Sequence, residues 1–223
     1  MGLGNNPLSL PNQVSKLQFG QTFSYCLVDM QSDKTASSKL FFGSPPQGTI
    51  QINGTMQTTQ MVKANSSYGL NIQNISIGGE LVDIPDEAWD FSKGGGAIID
   101  SGATLAYLVE SAYSPIIKAL DKSLSNFNRP TIGPDSATFE LCYGSKEFNY
   151  SAVPEMVIGF ADGARFTVPG TSYVIDVDAD TKCLAFTMSG SGPSLIGNML
   201  QQKNLWEFNI EKSQLSFGSS SCI

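Results

Sequence analysis

Asp100-Ser101-Gly102 is the short run in this chain whose residue types and setting could break a bond. Ala97-Ile98-Ile99 leads into it and Ala103-Thr104-Leu105 follows, so a short apolar strand delivers a carboxylate into a glycine-relaxed loop. Well downstream, Leu195-Ile196-Gly197-Asn198 supplies an apolar-apolar-glycine step. A carboxylate acts as a general base on water, or as a general acid when protonated, and two adjacent carboxylates divide those roles because both cannot ionise easily. The chain contains no histidine. That excludes Ser-His-Asp and Cys-His catalysis and nearly every catalytic zinc site, which leaves carboxylates as the preferred acid-base groups. Other runs fail on their spacing. Asp176-x-Asp178-x-Asp180 begins like a calcium loop, but Thr181 stands at the required glycine and Thr187 at the required glutamate. Gly94-Gly95-Gly96 lacks the Gly-Lys-Ser/Thr of a phosphate-binding loop and reads as a flexible turn.

The 223 residues are 41% hydrophobic and only 15% charged, with 22 glycines and 11 prolines. That mixture suits short strands joined by many turns around one core. A net charge of −7 argues against nucleic acid or an anionic membrane as partner, since phosphate binding is driven by Lys and Arg. No stretch approaches the ~20 apolar residues of a membrane span. Cys26, Cys142, Cys183 and Cys222 form no Cys-x-x-Cys pair, so they read as two disulfides with three pairings open. Four Asn-x-Ser/Thr sequons, at Asn53, Asn65, Asn74 and Asn149, are candidate N-glycosylation sites and point to the secretory route. Met1-Gly2-Leu3-Gly4 runs into polar residues and proline rather than the apolar core of a signal peptide. Secreted composition without a leader creates the expectation that the start of the protein is missing.

The elements that must position Asp100 read as an all-β fold with one or two short helices. A helical turn is expected around Ser9 to Leu17. Phe23 to Val28 and Lys39 to Gly43 read as a hairpin. Tyr68 to Ile77 alternates apolar and polar for one ten-residue strand that meets a tight turn at Gly78-Gly79. Tyr113, Ile116, Ile117, Leu120 and Leu124 fall at i, i+3, i+4, i+7 and i+11 of a helix, with Ser111 as N-cap and Pro115 in the first turn. Short strands follow over Val153 to Phe160, Arg165 to Val168, Ser172 to Val177, Cys183 to Met188, Ser194 to Ile196, Leu205 to Ile210 and Gln214 to Phe217. Met199 to Asn204 adds a helical turn, and Asp162-Gly163 a hairpin turn.

Taken in order, these runs resemble the pepsin-like aspartic proteases, in the plant branch that is similar to nepenthesins and the chloroplast-nucleoid-type proteases. The shared signatures are Gly2-Leu3-Gly4 with Leu8-Ser9-Leu10, Phe23-Ser24-Tyr25-Cys26-Leu27, Tyr68-Gly69-Leu70, Ile75-Ser76-Ile77-Gly78-Gly79 and Ile98-Ile99-Asp100-Ser101-Gly102. Leu141-Cys142-Tyr143, Val153-Pro154, Cys183-Leu184-Ala185-Phe186, Leu195-Ile196-Gly197-Asn198 and Phe217 ahead of Cys222 complete the series. The resemblance implies one lobe of a two-lobed acid protease, with residues 1–20 as the end of an N-terminal lobe and 21–223 as the C-terminal lobe. From about residue 68 the chain also resembles the C-terminal domain of xylanase-inhibitor proteins. It implies Asp100 as one of two catalytic aspartates, on the loop Ser101, Gly102, Ala103 and Thr104, beneath Leu195, Ile196 and Gly197. Ser101 would link the two lobes' loops, and Cys26 would pair with Cys222 and Cys142 with Cys183. An extended polypeptide is the implied substrate and the missing N-terminal lobe the implied partner, with no metal or organic cofactor. The full-length protein is expected in the secretory route, outside the cell or in the vacuole.

Two departures from the family pattern matter. The chain has no second Asp-Ser/Thr-Gly, so it is expected to be inactive alone. Ala103 stands where the family more often has Thr or Ser, whose hydroxyl can donate to the carboxylate; a less acidic working pH is the expectation. The rival readings are a non-proteolytic inhibitor or binding protein on the same fold, and a half-protease active only as a dimer.

Overall fold

The computed structural model describes residues 2–15, 20–33, 35–129 and 139–222. Seventeen strands and three α-helices run through them. A one-turn helix α1 (Leu10–Val14) precedes β1 (Thr22–Cys26), β2 (Lys39–Phe42), β3 (Gln57–Ala64), β4 (Ser67–Leu70), β5 (Ile72–Ile77) and β6 (Glu80–Leu81). Two 3-10 turns then lead to β7 (Ala97–Ile99), β8 (Ala106–Leu108) and the principal helix α2 (Glu110–Ser123). After it come β9 (Cys142–Gly144), β10 (Met156–Phe160), β11 (Arg165–Val168), β12 (Val174–Asp176), β13 (Thr181–Leu184), β14 (Phe186–Met188) and β15 (Ser194–Ile196). A short helix α3 (Asn198–Gln201) and the hairpin of β16 (Asn204–Asn209) with β17 (Gln214–Ser219) close the chain.

Ten of these strands form one sheet in the order β14-β8-β15-β7-β4-β3-β17-β16-β1-β2. A four-stranded sheet, β11-β10-β5-β6, and a three-stranded one, β12-β13-β9, complete an all-β fold. One large buried cluster, rich in Phe, Tyr, Ile and Leu, fills the space between them. A small satellite surrounds the Cys26–Cys222 disulfide, with Leu205 against it. The second disulfide, Cys142–Cys183, ties β9 to β13 at a cross-strand pair, and both pairings are those the resemblance implies.

Several elements differ from the sequence expectation. The ten-residue strand from Tyr68 is two strands, β4 and β5, which lie in different sheets. Asn71 is the exposed residue between them, and its carbonyl accepts the Ala161 N–H at 3.0 Å rather than a ladder bond within either strand. Helix α2 begins before Ser111, with Val109 at the N-cap, so Ser111 lies inside the first turn and Pro115 inside the helix, where it has no N–H to give the turn before it. Cys183 to Met188 breaks at Ala185, and β10 starts only at Met156, two residues past Pro154. The first helical turn ends at Val14, and Leu17 lies outside the described residues. The turn at Gly78-Gly79 joins β5 to β6 with φ of 59° and 86°, the left-handed pair that a two-residue hairpin needs.

Candidate active site

Strand β7 is three apolar residues long and sits between β4 and β15, so its backbone is fixed from both sides. Its pairing with β15 is parallel, Leu195 opposite Ile98 and Ile196 opposite Ile99. Asp100 is the first residue past the strand. Its N–H continues the ladder to the Ile196 carbonyl at 3.1 Å, which plants the base of the loop before the chain turns. The turn is closed by Ala103 N–H to Asp100 O at 3.3 Å and by Gly102 N–H to Asp100 Oδ1 at 2.8 Å. The second of these bonds sets the plane of the carboxylate.

The segment after β15 holds the far side of the loop. Asn198 N–H donates to the Ala103 carbonyl at 2.7 Å, Met199 N–H to Thr104 O at 3.2 Å, and Asn198 Nδ2 to Ser101 O at 3.2 Å. Gly197 makes this approach possible: a Cβ there would stand 1.9 Å from the Leu105 carbonyl oxygen. Asp100, Ser101, Gly102, Ala103 and Thr104 are thus brought together with Leu195, Ile196 and Gly197 in one hydrogen-bonded unit.

Beneath this unit lies a buried polar relay that local sequence does not signal. Gln201, fully buried, donates from Nε2 to the Ile196 carbonyl at 2.6 Å, sharing that acceptor with the Asp100 N–H. Its Oε1 accepts the hydroxyl of Tyr25, and its own carbonyl accepts the indole N–H of Trp206 at 2.9 Å. Burial raises the Tyr25 phenol far above its ordinary value, with a smaller opposing contact from the Ser101 hydroxyl and a further upward push from the Asp100 charge. Tyr25 therefore stays a neutral donor to Gln201. Tyr68, opposite Ile99 on β4, is also raised by burial and donates to the Leu3 carbonyl at 2.7 Å. Phe208 packs on Tyr68 at 4.9 Å and stacks on Phe23 at 4.6 Å, which closes the floor with aromatic rings.

Above this floor is an open cavity of about 450 Å³, walled by Gly2 to Gly4, Ser66 to Tyr68 and the Asp100 loop. Asp100 and Ser101 are half-buried in its wall. The arrangement presents one fixed carboxylate to a space large enough for a segment of peptide. Among the described residues no second carboxylate lines that cavity.

The four sequons lie outside the hydrogen-bonded Asp100 loop itself. Asn53, Asn65 and Asn149 are exposed on turns, whereas Asn74 is half-buried in β5 opposite Gly159, with its carboxamide over that glycine.

Residues 67–219 match the family described as xylanase inhibitor C-terminal, and residues 1–44 the family described as xylanase inhibitor N-terminal. Aspartyl protease family protein 2 of Arabidopsis thaliana is 32% identical over 100% of this chain and 45% of its own length. Aspartic proteinase nepenthesin-1 of Nepenthes gracilis is 30% identical over 100% of this chain and 49% of its own. The chain spans about half the length of the curated relatives it matches. Among solved structures, EDGP superposes with a TM-score of 0.81 at 20% identity, covering 99% of this chain and 59% of that one. Basic 7S globulin from soybean gives 0.78 at 21% identity, covering 99% and 56%. At those identities the likeness speaks for the fold alone.

Proposed function

Because the chain belongs to the family described as xylanase inhibitor C-terminal, and with it to the plant pepsin-like aspartic proteases, we propose that it forms one lobe of an aspartic endopeptidase. The observation that carries the reading is the Asp100 carboxyl in the wall of an open cavity, on a loop held at both ends by backbone hydrogen bonds. A second aspartate, from a first lobe, would face it across a water. Two such carboxylates share one proton. The ionised one takes a proton from the water as its oxygen attacks the scissile carbonyl, and the protonated one donates to the carbonyl oxygen. On the Asp100 side, Gly102 N–H holds Oδ1 and leaves the other oxygen for the water.

The substrate is an extended polypeptide lying in the cleft between lobes, and the chemistry asks for no metal or organic cofactor. One carboxylate cannot serve as acid and base in the same step, so this chain by itself hydrolyses nothing. Two disulfides support a life in the secretory route, outside the cell or in the vacuole, with sugars on the exposed sequons.

The family's description favours a second reading, a non-proteolytic binding protein that inhibits a xylanase. One assay separates the two. The chain joined to a first lobe is given a denatured protein at acid pH, and in parallel a xylanase. Cleavage lost on Asp100→Asn supports the peptidase. Xylanase inhibition without cleavage, unchanged by Asp100→Asn, supports the binder.

A further inference from the structure

The β3–β4 hairpin, which borders the Asp100 cavity, carries one of the four sequons at its tip. Ala64 pairs with Ser67, so Asn65 and Ser66 form a two-residue turn, and Asn65-Ser66-Ser67 is the sequon. Asn65 is exposed, with a φ of 50°, in the left-handed region that asparagine tolerates. Its three companions sit differently. Asn149 donates no side-chain freedom to the turn it caps, since its Oδ1 accepts the Ser151 N–H at 2.9 Å. Asn74 lies so close over Gly159 that a Cβ there would meet its Oδ1 at 2.6 Å, and a substituent on its amide would have to leave that contact. Asn53 is exposed but lies outside the cavity wall.

Strand register fixes how near Asn65 is to the carboxylate. Tyr68 on β4 is opposite Ile99 on β7, so the next step along each chain brings Ser67 level with Asp100. Asn65 follows Ala64, which is level with Ser67, so it stands about 3.4 Å past that level and, on the β3 side of β4, up to two strand spacings or about 10 Å to the side of β7. Ser66 and Ser67 themselves line the cavity together with Asp100.

We propose that Asn65 carries an N-linked oligosaccharide that stands at the rim of the Asp100 cavity and limits the size of what reaches the carboxylate. The donor is a lipid-linked oligosaccharide diphosphate of the secretory route. The amide nitrogen of Asn65 attacks the anomeric carbon, and a C–N bond forms as the anomeric C–O bond breaks. The electron pair leaves with the lipid diphosphate, and the nitrogen gives up one proton to a base. A branched sugar chain is wider than the few ångströms that separate its attachment point from the cavity mouth, so it screens that side against bulky ligands and passes small ones. Attachment does not depend on the peptidase reading; only the consequence for substrate choice rests on it.

The test uses the chain secreted from a eukaryotic host. Glycopeptide mapping reads occupancy at each sequon. Carbodiimide coupling of Asp100 to a small amine and to a bulky one, before and after enzymatic deglycosylation of the native protein, then reads access. Peptide mass spectrometry scores the modified Asp100. We expect Asn65 to be occupied, and coupling of the bulky amine to rise several-fold on deglycosylation while the small amine is unchanged. Asn65→Gln should reproduce the rise, and Asn53→Gln should not. An unmodified Asn65 overturns the site, whatever the other sequons carry. Occupancy with equal coupling before and after overturns its role at the rim. Occupancy and screening in a protein that never cleaves peptide, with or without a first lobe, would overturn the peptidase reading and leave the glycan standing.

Discussion

Replacing Gln201 by leucine should weaken the fold and do so through Tyr25. The leucine fills nearly the same space but offers nothing to the Tyr25 hydroxyl or to the Ile196 carbonyl, which Gln201 now bonds. Ile196 O keeps the Asp100 N–H, so its loss is one ordinary hydrogen bond, about 1 kcal/mol net. The Tyr25 hydroxyl loses its Gln201 acceptor and is left with the Ser101 hydroxyl that it also touches, in a site where Tyr25 is 5% and Gln201 0% exposed. A lost hydrogen bond whose donor keeps a second partner costs about 0.5–1.5 kcal/mol, so Gln201→Leu should cost about 1–3 kcal/mol in all. Tyr25→Phe orphans Gln201 Oε1 instead and should cost about 1–3 kcal/mol. The double variant removes both ends of the pair. It should therefore be more stable than the sum of the singles predicts, by about 1–2 kcal/mol. Urea unfolding with unchanged slope gives all four corners of the cycle. Additive losses, or a Gln201→Leu variant as stable as the parent, would refute the relay as a source of the loop's rigidity.

Three further outcomes follow from the same structure. Gly197→Ala puts a Cβ 1.9 Å from the Leu105 carbonyl, a backbone atom that cannot step aside, and should cost about 3 kcal/mol in urea unfolding. Losing Cys26–Cys222, which closes a separation of 196 residues, should cost about 1 kcal/mol more than losing Cys142–Cys183, which closes 41, when each pair is replaced by alanine and compared by denaturation. Burial pushes the Asp29 carboxyl up, but the Gln31 N–H and the Lys203 ammonium outweigh it and hold it below its ordinary 3.8. A depressed carboxylate stabilises above its unfolded value and loses that contribution as pH falls through its folded one. Asp29→Asn should therefore lower the unfolding midpoint at pH 6, and the gap to the parent should narrow as the pH falls below the ordinary 3.8 and close once the folded carboxyl is protonated.

Asp100-Ser101-Gly102 and Leu195-Ile196-Gly197 were legible because each is a contiguous run whose chemistry, a carboxylate and a missing side chain, is written in residue types. The relay was not. Tyr25 and Gln201 meet across a separation of 176 residues, by way of the β1–β16 pairing that sets Tyr25 opposite Trp206, and no local pattern encodes that register. A pair of glutamines directly after the apolar Met199-Leu200 was the available hint, since buried amides always need partners. Strand β3 was silent for another reason. Only Thr59 is buried among its polar residues, because the strand joins two halves of the long sheet edge to edge and hardly faces the core. The run from Tyr68 keeps its alternation straight through Asn71, so periodicity alone reads one strand where the chain passes from one sheet to another. The start of α2 was misplaced because Val109, at the N-cap, offers no polar side chain to announce it.

The peptidase reading stands on Asp100 as half of a catalytic pair. Hydrolysis of a denatured protein at acid pH, measured for this chain alone, for the chain joined to a first lobe that carries its own Asp-Thr/Ser-Gly, and for that joined protein with Asp100→Asn, tests it most directly. Cleavage is expected of the joined protein only, with the Asp100→Asn variant as inert as the chain alone. Cleavage that survives Asp100→Asn would contradict that reading.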